Sequence, residues 1–82
     1  MLACDKHDFI EIACMYQLKV VLKLKTGDEI IGIAQDTVLN GQRDECVKLL
    51  MADKKFEFIT LMSISTMRAL DQNPHFNFIQ FD

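Results

Sequence analysis

The sequence predicts an α+β fold in which one N-terminal helix precedes a small antiparallel β-barrel of five or six strands. Apolar residues recur at helical spacing only near the N-terminus, whereas apolar and polar residues alternate from residue 17 onward. Glycine and Asn/Asp pairs separate the alternating runs. Five or six short strands would leave two exposed edges in a flat sheet, and closure into a barrel removes them. At 82 residues, we expect a single domain over 1–82.

The composition is that of a globular protein, because 50% of the residues are hydrophobic and 26% are charged. No apolar run approaches the roughly 20 residues of a membrane-spanning helix. Charged residues at positions 5–8 interrupt the place where a secretory signal would become apolar. Three irregularly spaced cysteines favour reduced thiols over a disulfide framework. We therefore expect a cytoplasmic protein.

The helix is predicted over residues 6–16. Ile10, Ala13 and Cys14 form its apolar stripe, and the cysteine is expected to pack as a small apolar contact. Asp5 and Asp8 are both candidate N-caps. Asp8 and Glu11 also have the spacing of a capping box.

A second face of this helix is acidic. Asp5, Asp8 and Glu11 recur every three residues, so they occupy an arc of about 120° away from the apolar stripe. Acidic residues near a helix N-terminus are commonly explained by the helix dipole. The alternative is that the three carboxylates form a surface for a basic partner.

The first strand is predicted over residues 17–26, where the period of two is clearest. Its outward residues include a basic strip of Lys19, Lys23 and Lys25. Lysines on an outward strand face are commonly solvated and discourage edge aggregation. Gly27 predicts a tight turn with positive φ, and Gly32 predicts a bulge or bend in the returning strand 29–35.

Further strands are predicted over residues 46–51, 55–62 and 63–70, with a short one at 76–81 and a polar loop at 36–45. Five phenylalanines fall in or near these strands: Phe56, Phe58, Phe76, Phe78 and Phe81. Such residues could stack on nucleic-acid bases. Core packing is the commoner use of alternating phenylalanine, and we adopt it as the expectation.

Residues 22–40, LKLKTGDEIIGIAQDTVLN, resemble the first motif of Sm-like proteins. The shared features are the glycine at the turn, the glycine in the second strand, and Asp36 and Asn40 four residues apart. The resemblance implies an Sm-like barrel. Fold alone does not identify a function.

Residues 4 to about 38 resemble the Rof family of Rho-binding antiterminators more closely. The resemblance is carried by the pattern Cys-Asp-x-x-Asp-x-x-Glu-x-Ala-Cys at positions 4–14, which runs into the first strand and its Lys-Thr-Gly turn. It implies a protein that binds the termination factor Rho at its N-terminal domain and blocks RNA loading at the primary binding site. By this resemblance the contact residues are Asp8, Glu11 and Asp5. Lys19, Lys23 and Lys25 are lesser candidates on the flanking strand.

The alternative function is direct binding of single-stranded RNA by an Sm-like barrel. Asp36 and Asn40 would then lie near a base, and Lys23 or Lys25 would contact phosphate. The net charge of −3 argues against it. The Arg-Gly pair of the second Sm motif is also missing, because Arg68 is followed by alanine. We therefore expect Rho as the partner, no direct nucleic-acid binding, and a monomer when free.

The sequence predicts neither a metal site nor an enzyme. Cys4-x-x-His7 with Cys14 gives three potential zinc ligands, whereas a structural zinc site needs four. No Gly-rich phosphate loop or catalytic signature is present. We expect no cofactor.

Overall fold

The computed structural model describes residues 4–81, with side chains from His7 onward. One helix, α1 (Cys4–Met15), is followed by six strands and a short 3-10 helix. The strands are β1 (Lys19–Leu24), β2 (Glu29–Leu39), β3 (Glu45–Leu50), β4 (Phe56–Thr60), β5 (Ile64–Ala69) and β6 (Phe78–Gln80). The 3-10 helix, Leu61–Ser63, separates β4 from β5.

The strands form one antiparallel sheet in the order β4-β3-β2-β1-β5-β6. The predicted α+β class is confirmed, but the predicted closed barrel is wrong. Within residues 4–81, β4 and β6 are the two edge strands and do not pair with each other. Helix α1 contributes to the core that covers one face of the sheet, so that face is buried without closure.

The helix begins two residues before the predicted start and ends one residue earlier. Asp5 and Asp8 therefore lie inside α1, and the expectation that either is its N-cap is wrong. The predicted capping box of Asp8 and Glu11 fails for the same reason. The apolar stripe is confirmed, because Ile10, Ala13 and Cys14 are all buried.

The buried face of the sheet is called the inner face, and the opposite one the outer face. Strand β1 alternates as predicted: Val20 and Leu22 are buried in the core shared with α1, while Lys19 and Lys23 are exposed on the outer face. Strand β5 departs from simple alternation because its pairing with β1 shifts by one residue. The shift lets Ile64 and Met67, three residues apart, both enter the core.

The two glycines of the first hairpin have different structural roles. Gly27 has a φ of +98°, as the turn prediction requires. Gly32 is not the site of the bulge, which lies between Ala34 and Asp36. A Cβ at Gly32 would lie 3.0 Å from Cβ of Leu49, so the glycine permits close approach of neighbouring strands.

Strand β2 extends to Leu39, so the predicted loop at 36–45 shrinks to a short turn. Oδ1 of Asn40 accepts hydrogen bonds from the backbone amides of Gln42 (2.8 Å) and Asp44 (2.9 Å). The Asn-Gly pair is therefore a turn signal, as its composition suggests.

The expectation that the late phenylalanines pack in the core is confirmed for two of the five and wrong for three. Phe76 and Phe81 are buried, each 8% exposed. Phe56, Phe58 and Phe78 are 49%, 53% and 55% exposed. The three exposed rings belong to the edge strands β4 and β6, which have one neighbouring strand each.

With 12 residues, α1 is too short to span a bilayer, and the rest of residues 4–81 contains no candidate membrane-spanning helix.

Candidate partner-binding site

Helix α1 and the first residue of β3 together present a cluster of exposed carboxylates. Asp8 and Glu11 lie on α1, and Glu45 lies where β3 begins. All three are exposed. We call Asp8, Glu11 and Glu45 the acidic surface. Two elements far apart in sequence therefore contribute to one charged site.

His7 joins the two parts of the acidic surface. Its Nε2 lies 2.8 Å from Oε2 of Glu45, at hydrogen-bond distance. Its Nδ1 lies 3.6 Å from Oε1 of Glu11, one helical turn further along α1. The imidazole therefore lies between two carboxylates and links the start of β3 to the helix.

A shallow cavity of about 320 Å³ adjoins the acidic surface between α1 and β2. Glu11, Cys14 and Met15 line it from the helix, and Gln35, Asp36 and Thr37 line it from the strand. Asp36 thus adds a fourth carboxylate beside the acidic surface. The lining combines negative charge with one exposed apolar side chain, Met15.

The thiol at the edge of this cavity is unreactive in character. Burial, with Asp36 and Glu11 nearby, raises the pKa of Cys14 from 9.0 to about 11. A thiol with such a pKa is protonated at neutral pH and is a poor nucleophile. Cys14 therefore packs as the small apolar contact expected from the sequence. The side chain of Cys4, the other cysteine near the helix, lies outside the described residues.

The C-terminal end of α1 adds exposed apolar surface next to the carboxylates. Met15 is 71% exposed and Tyr16 is 54% exposed. The Tyr16 ring stacks on the His75 ring, with centroids 4.6 Å apart and planes 21° apart. One turn into the helix, Phe9 makes an edge-on contact with Phe76. These two ring pairs fix the segment before β6 against α1.

The structure brings together some of the predicted site residues and separates others. Asp8 and Glu11 share the acidic surface. The Asp5 prediction concerns a side chain outside the described residues. Lys19 and Lys23 lie on the outer face, away from α1, so they do not adjoin the acidic surface. Lys25 lies in the exposed turn after β1.

The residues of the alternative RNA site have local structural roles. Oδ1 of Asp36 accepts a hydrogen bond from the backbone amide of Thr37 at 2.8 Å. Asn40 holds the turn that follows β2. No described contact joins the two residues, and Asp36 lies beside Glu11 and Cys14 instead.

Sequence reasoning missed Glu45 and the bridging position of His7. Glu45 lies 38 positions from His7, and no local pattern connects them. The sequence offered one signal. His7 and Glu11 are four residues apart on the predicted helix, a spacing at which an imidazole can contact a carboxylate.

Potential metal ligands are also close together on α1. One ligand atom from each of His7, Asp8 and Glu11 lies within 4.8 Å of the others. Both nitrogens of His7 already face carboxylates. Exposed acidic groups such as Asp8 and Glu11 are common on proteins without a bound ion.

The sequence and the fold both match a known family. The family model described as a modulator of Rho-dependent transcription termination, Rof, matches residues 1–81. A solved structure described as YaeO bound to magnesium, from Vibrio cholerae O395, is 37% identical in sequence. The match covers 92% of this chain and 96% of that chain, with a TM-score of 0.87. A search of curated proteins finds no match. The chain therefore belongs to the Rof family of modulators of Rho-dependent transcription termination.

Proposed function

We propose that this protein inhibits Rho-dependent termination by binding the Rho N-terminal domain through its acidic surface. Occupying that domain blocks RNA loading at the primary binding site. Family membership supports Rho-dependent termination as the process, and the charge arrangement on α1 supports this mechanism.

The observation that carries the proposal is the convergence of four carboxylates on one side of the molecule. Asp8, Glu11 and Glu45 surround His7, and Asp36 lies across the cavity from Glu11. A protein surface that loads RNA must be basic, because phosphate contacts supply much of the affinity. An array of exposed carboxylates is complementary to such a surface and takes the place of the RNA phosphates.

Charge alone would give a weak complex, since exposed ion pairs contribute about 0–1 kcal/mol each. The exposed Met15 and Tyr16 supply the apolar contact that such an interface requires. Both lie at the end of α1 next to the acidic surface. We therefore assign the centre of the interface to the C-terminal half of the helix and its charged rim to Asp8, Glu11 and Glu45.

The proposal also covers catalysis, cofactors, domain organisation, location and oligomeric state. The protein acts by occupying a site, so we assign it no catalytic step and no cofactor. We propose that residues 1–82 form one domain, a view supported by a hydrophobic core cluster, within the described residues, that includes α1 and all strands from β1 to β5. We also propose that the free protein is a cytoplasmic monomer.

Magnesium, which the Vibrio cholerae protein binds, has no part in this mechanism. Mg²⁺ demands near-octahedral coordination, usually by oxygen atoms, and keeps several waters. The cluster of potential ligands on α1 includes an imidazole whose nitrogens face Glu11 and Glu45. The cluster of His7, Asp8 and Glu11 therefore does not suit that ion, and we assign the acidic surface to a protein partner.

The test is a binding measurement between the purified protein and the Rho N-terminal domain, using the double variant Asp8→Lys and Glu11→Lys. We expect at least a tenfold loss of affinity, because two attractive contacts become repulsive. The matched control is Glu29→Lys with Glu57→Lys, which makes the same charge change at exposed positions away from α1. Circular dichroism checks that both variants fold. Equal loss in both variants, or no loss in the helix variant, would refute the acidic-surface mechanism.

A further inference from the structure

The outer face of the sheet has the opposite charge character to the rest of the molecule. It carries four cations, Lys19, Lys23, Lys48 and Arg68, and Glu29 lies opposite Lys23. Asp36 pairs with Lys48 just after the bulge in β2, but its side chain lines the cavity with Glu11 on the α1 side. The chain as a whole carries nine basic and twelve acidic side chains. The net charge of −3 therefore conceals a basic face on the side away from α1.

Two of these cations are direct cross-strand neighbours of exposed aromatic rings. Arg68 pairs with Phe78 between β5 and β6, and Lys48 pairs with Phe58 between β3 and β4. Residues paired in this way project from the same face of a sheet, with Cβ atoms about 4.5–5.5 Å apart. Both rings are more than half exposed. Each pair thus offers a flat apolar surface beside a positive charge.

We propose that the outer face binds single-stranded nucleic acid. A nucleotide consists of a base that stacks on aromatic rings and a phosphate that pairs with cations. The pairs Phe58–Lys48 and Phe78–Arg68 present these two features side by side at opposite ends of the sheet. Five inter-strand steps separate β4 from β6, or about 24 Å along the sheet. Lys19 and Lys23 on β1 lie between the two pairs and would contact the connecting phosphates.

A second copy of this chain is a poorer fit to the same face. A two-fold interface would bring the four cations of one copy against those of the other. The Phe56 ring already contacts a cation on this face, because Nζ of Lys48 lies 4.2 Å from the centre of that ring. The aromatic groups are thus set among positive charges, which favours an anionic occupant with its own aromatic groups.

This site is separate from the acidic surface and independent of the proposed function. Alternate residues of β1 project to opposite faces: Val20 and Leu22 enter the core shared with α1, whereas Lys19 and Lys23 face solvent. Binding of nucleic acid at the outer face therefore leaves α1 free. The inference replaces the expectation, based on net charge, that the protein does not bind nucleic acid.

The experiment measures binding of the full chain to fluorescently labelled oligouridine of about 12 nucleotides, a length within the usual site sizes for single-strand binding. Fluorescence anisotropy is recorded at several salt concentrations without Rho. We expect saturable binding whose log affinity falls with log salt at a slope of about −3, as four phosphate contacts on a single strand require. Anionic phospholipid vesicles and heparin serve as comparison probes, because both carry negative charge without bases.

The variants separate charge from stacking. Lys23→Glu with Arg68→Glu should weaken oligouridine binding at least tenfold. Lys54→Glu with Lys55→Glu makes the same charge change in the exposed turn before β4 and should leave binding within about twofold. Phe58→Ala with Phe78→Ala should weaken binding at least fivefold, since stacking on each ring contributes to affinity. These rings are exposed, so the variants are expected to fold, and circular dichroism verifies it.

Each adverse result overturns the proposal. These results are no saturable binding up to about 100 μM protein at low salt, equal weakening by the face and turn variants, or no effect of the phenylalanine double variant. Binding to vesicles without binding to oligouridine would assign the face to a membrane. If heparin bound with the same affinity as oligouridine, and the phenylalanine double variant weakened neither complex, the face would be assigned to polyanions in general.

Discussion

At the scale of single residues, Gly32 permits β2 and β3 to approach closely. A Cβ at this position would meet Cβ of Leu49 at 3.0 Å, the carbonyl oxygen of Leu50 at 3.2 Å and Sδ of Met51 at 3.2 Å. One of these contacts is backbone and cannot move aside without shifting the strand. The sequence identified Gly32 as special but suggested a bulge, because both roles leave the same signal, a glycine inside a strand.

Gly32→Ala should lower the free energy of unfolding by about 1–3 kcal/mol, the usual cost of overpacking a core. Urea denaturation measures it. Gly41→Ala is the matched control, because a methyl group at this position would have no neighbour within 4 Å and the φ of Gly41 is not positive. The control should be neutral or slightly stabilising. If Gly32→Ala left the free energy of unfolding unchanged, β2 and β3 would be able to move apart here at little cost.

Cys14 makes the stability of the protein sensitive to alkaline pH. Its pKa rises from 9.0 in the unfolded chain to about 11 in the folded protein. The folded state therefore holds the thiol proton more tightly than the unfolded state. This contribution is fully present below pH 9 and is lost as pH rises toward 11.

We expect the wild type to lose about 2 kcal/mol more stability than Cys14→Ala between pH 8.5 and 11. Urea denaturation of both proteins across this range gives the difference, and comparison within one pair cancels the titration of other groups. Parallel pH profiles would show that the thiol does not carry the effect.

At the scale of elements, periodicity predicted the strands well where one face enters the core and the other meets solvent. The alternation of β1 is of this kind, with Val20 and Leu22 inside and Lys19 and Lys23 outside. Periodicity did not predict whether an apolar residue on the outer face would be buried or exposed. Val21 is only 5% exposed although it lies on the outer face, whereas its cross-strand partner on β2, Ile31, is 50% exposed.

The position of a strand at an edge of the sheet explains the errors over phenylalanine. Edge strands have one neighbour, so a ring on their outer face has less cover than one on a central strand. Strand order depends on long-range pairing, which local patterns do not contain. The bridge from His7 to Glu45 was missed for the same reason. The acidic face of α1, by contrast, is local and could be predicted.

The contrast between Phe76 and Phe78 tests the packing of the last strand. Phe76 is 8% exposed and contacts Phe9 of α1 edge-on, with ring centroids 5.7 Å apart. Phe76→Ala should cost about 3 kcal/mol or more of unfolding free energy. Phe78→Ala should change it by no more than about 0.5 kcal/mol, because that ring is 55% exposed. Similar costs for both variants would contradict the assigned orientation of β6.

At the scale of the whole molecule, charge is divided between two sides. Carboxylates gather around α1, and cations gather on the outer face of the sheet. Such a distribution orients the protein as it approaches a basic partner. Composition gives only the net charge, so this division became visible only once the strands were ordered.

The rate of association with the Rho N-terminal domain should fall steeply as salt rises from low to physiological concentration. Screening shortens the Debye length toward about 8 Å over this range. Stopped-flow measurements on wild type and on the Asp8→Lys, Glu11→Lys variant give the comparison. The variant should associate slowly and depend less steeply on salt. If the association rate of the wild type did not change with salt concentration, the interface would be apolar instead.

The central claim is that the acidic surface occupies the site where Rho loads RNA. The most direct measurement is displacement of labelled oligocytidine from the Rho N-terminal domain by this protein. The competitor should carry Lys23→Glu with Arg68→Glu, so that its own outer face does not hold the RNA. We expect complete displacement, which is lost when Asp8→Lys and Glu11→Lys are added. RNA that stays bound to Rho while the protein is also bound would contradict the claim.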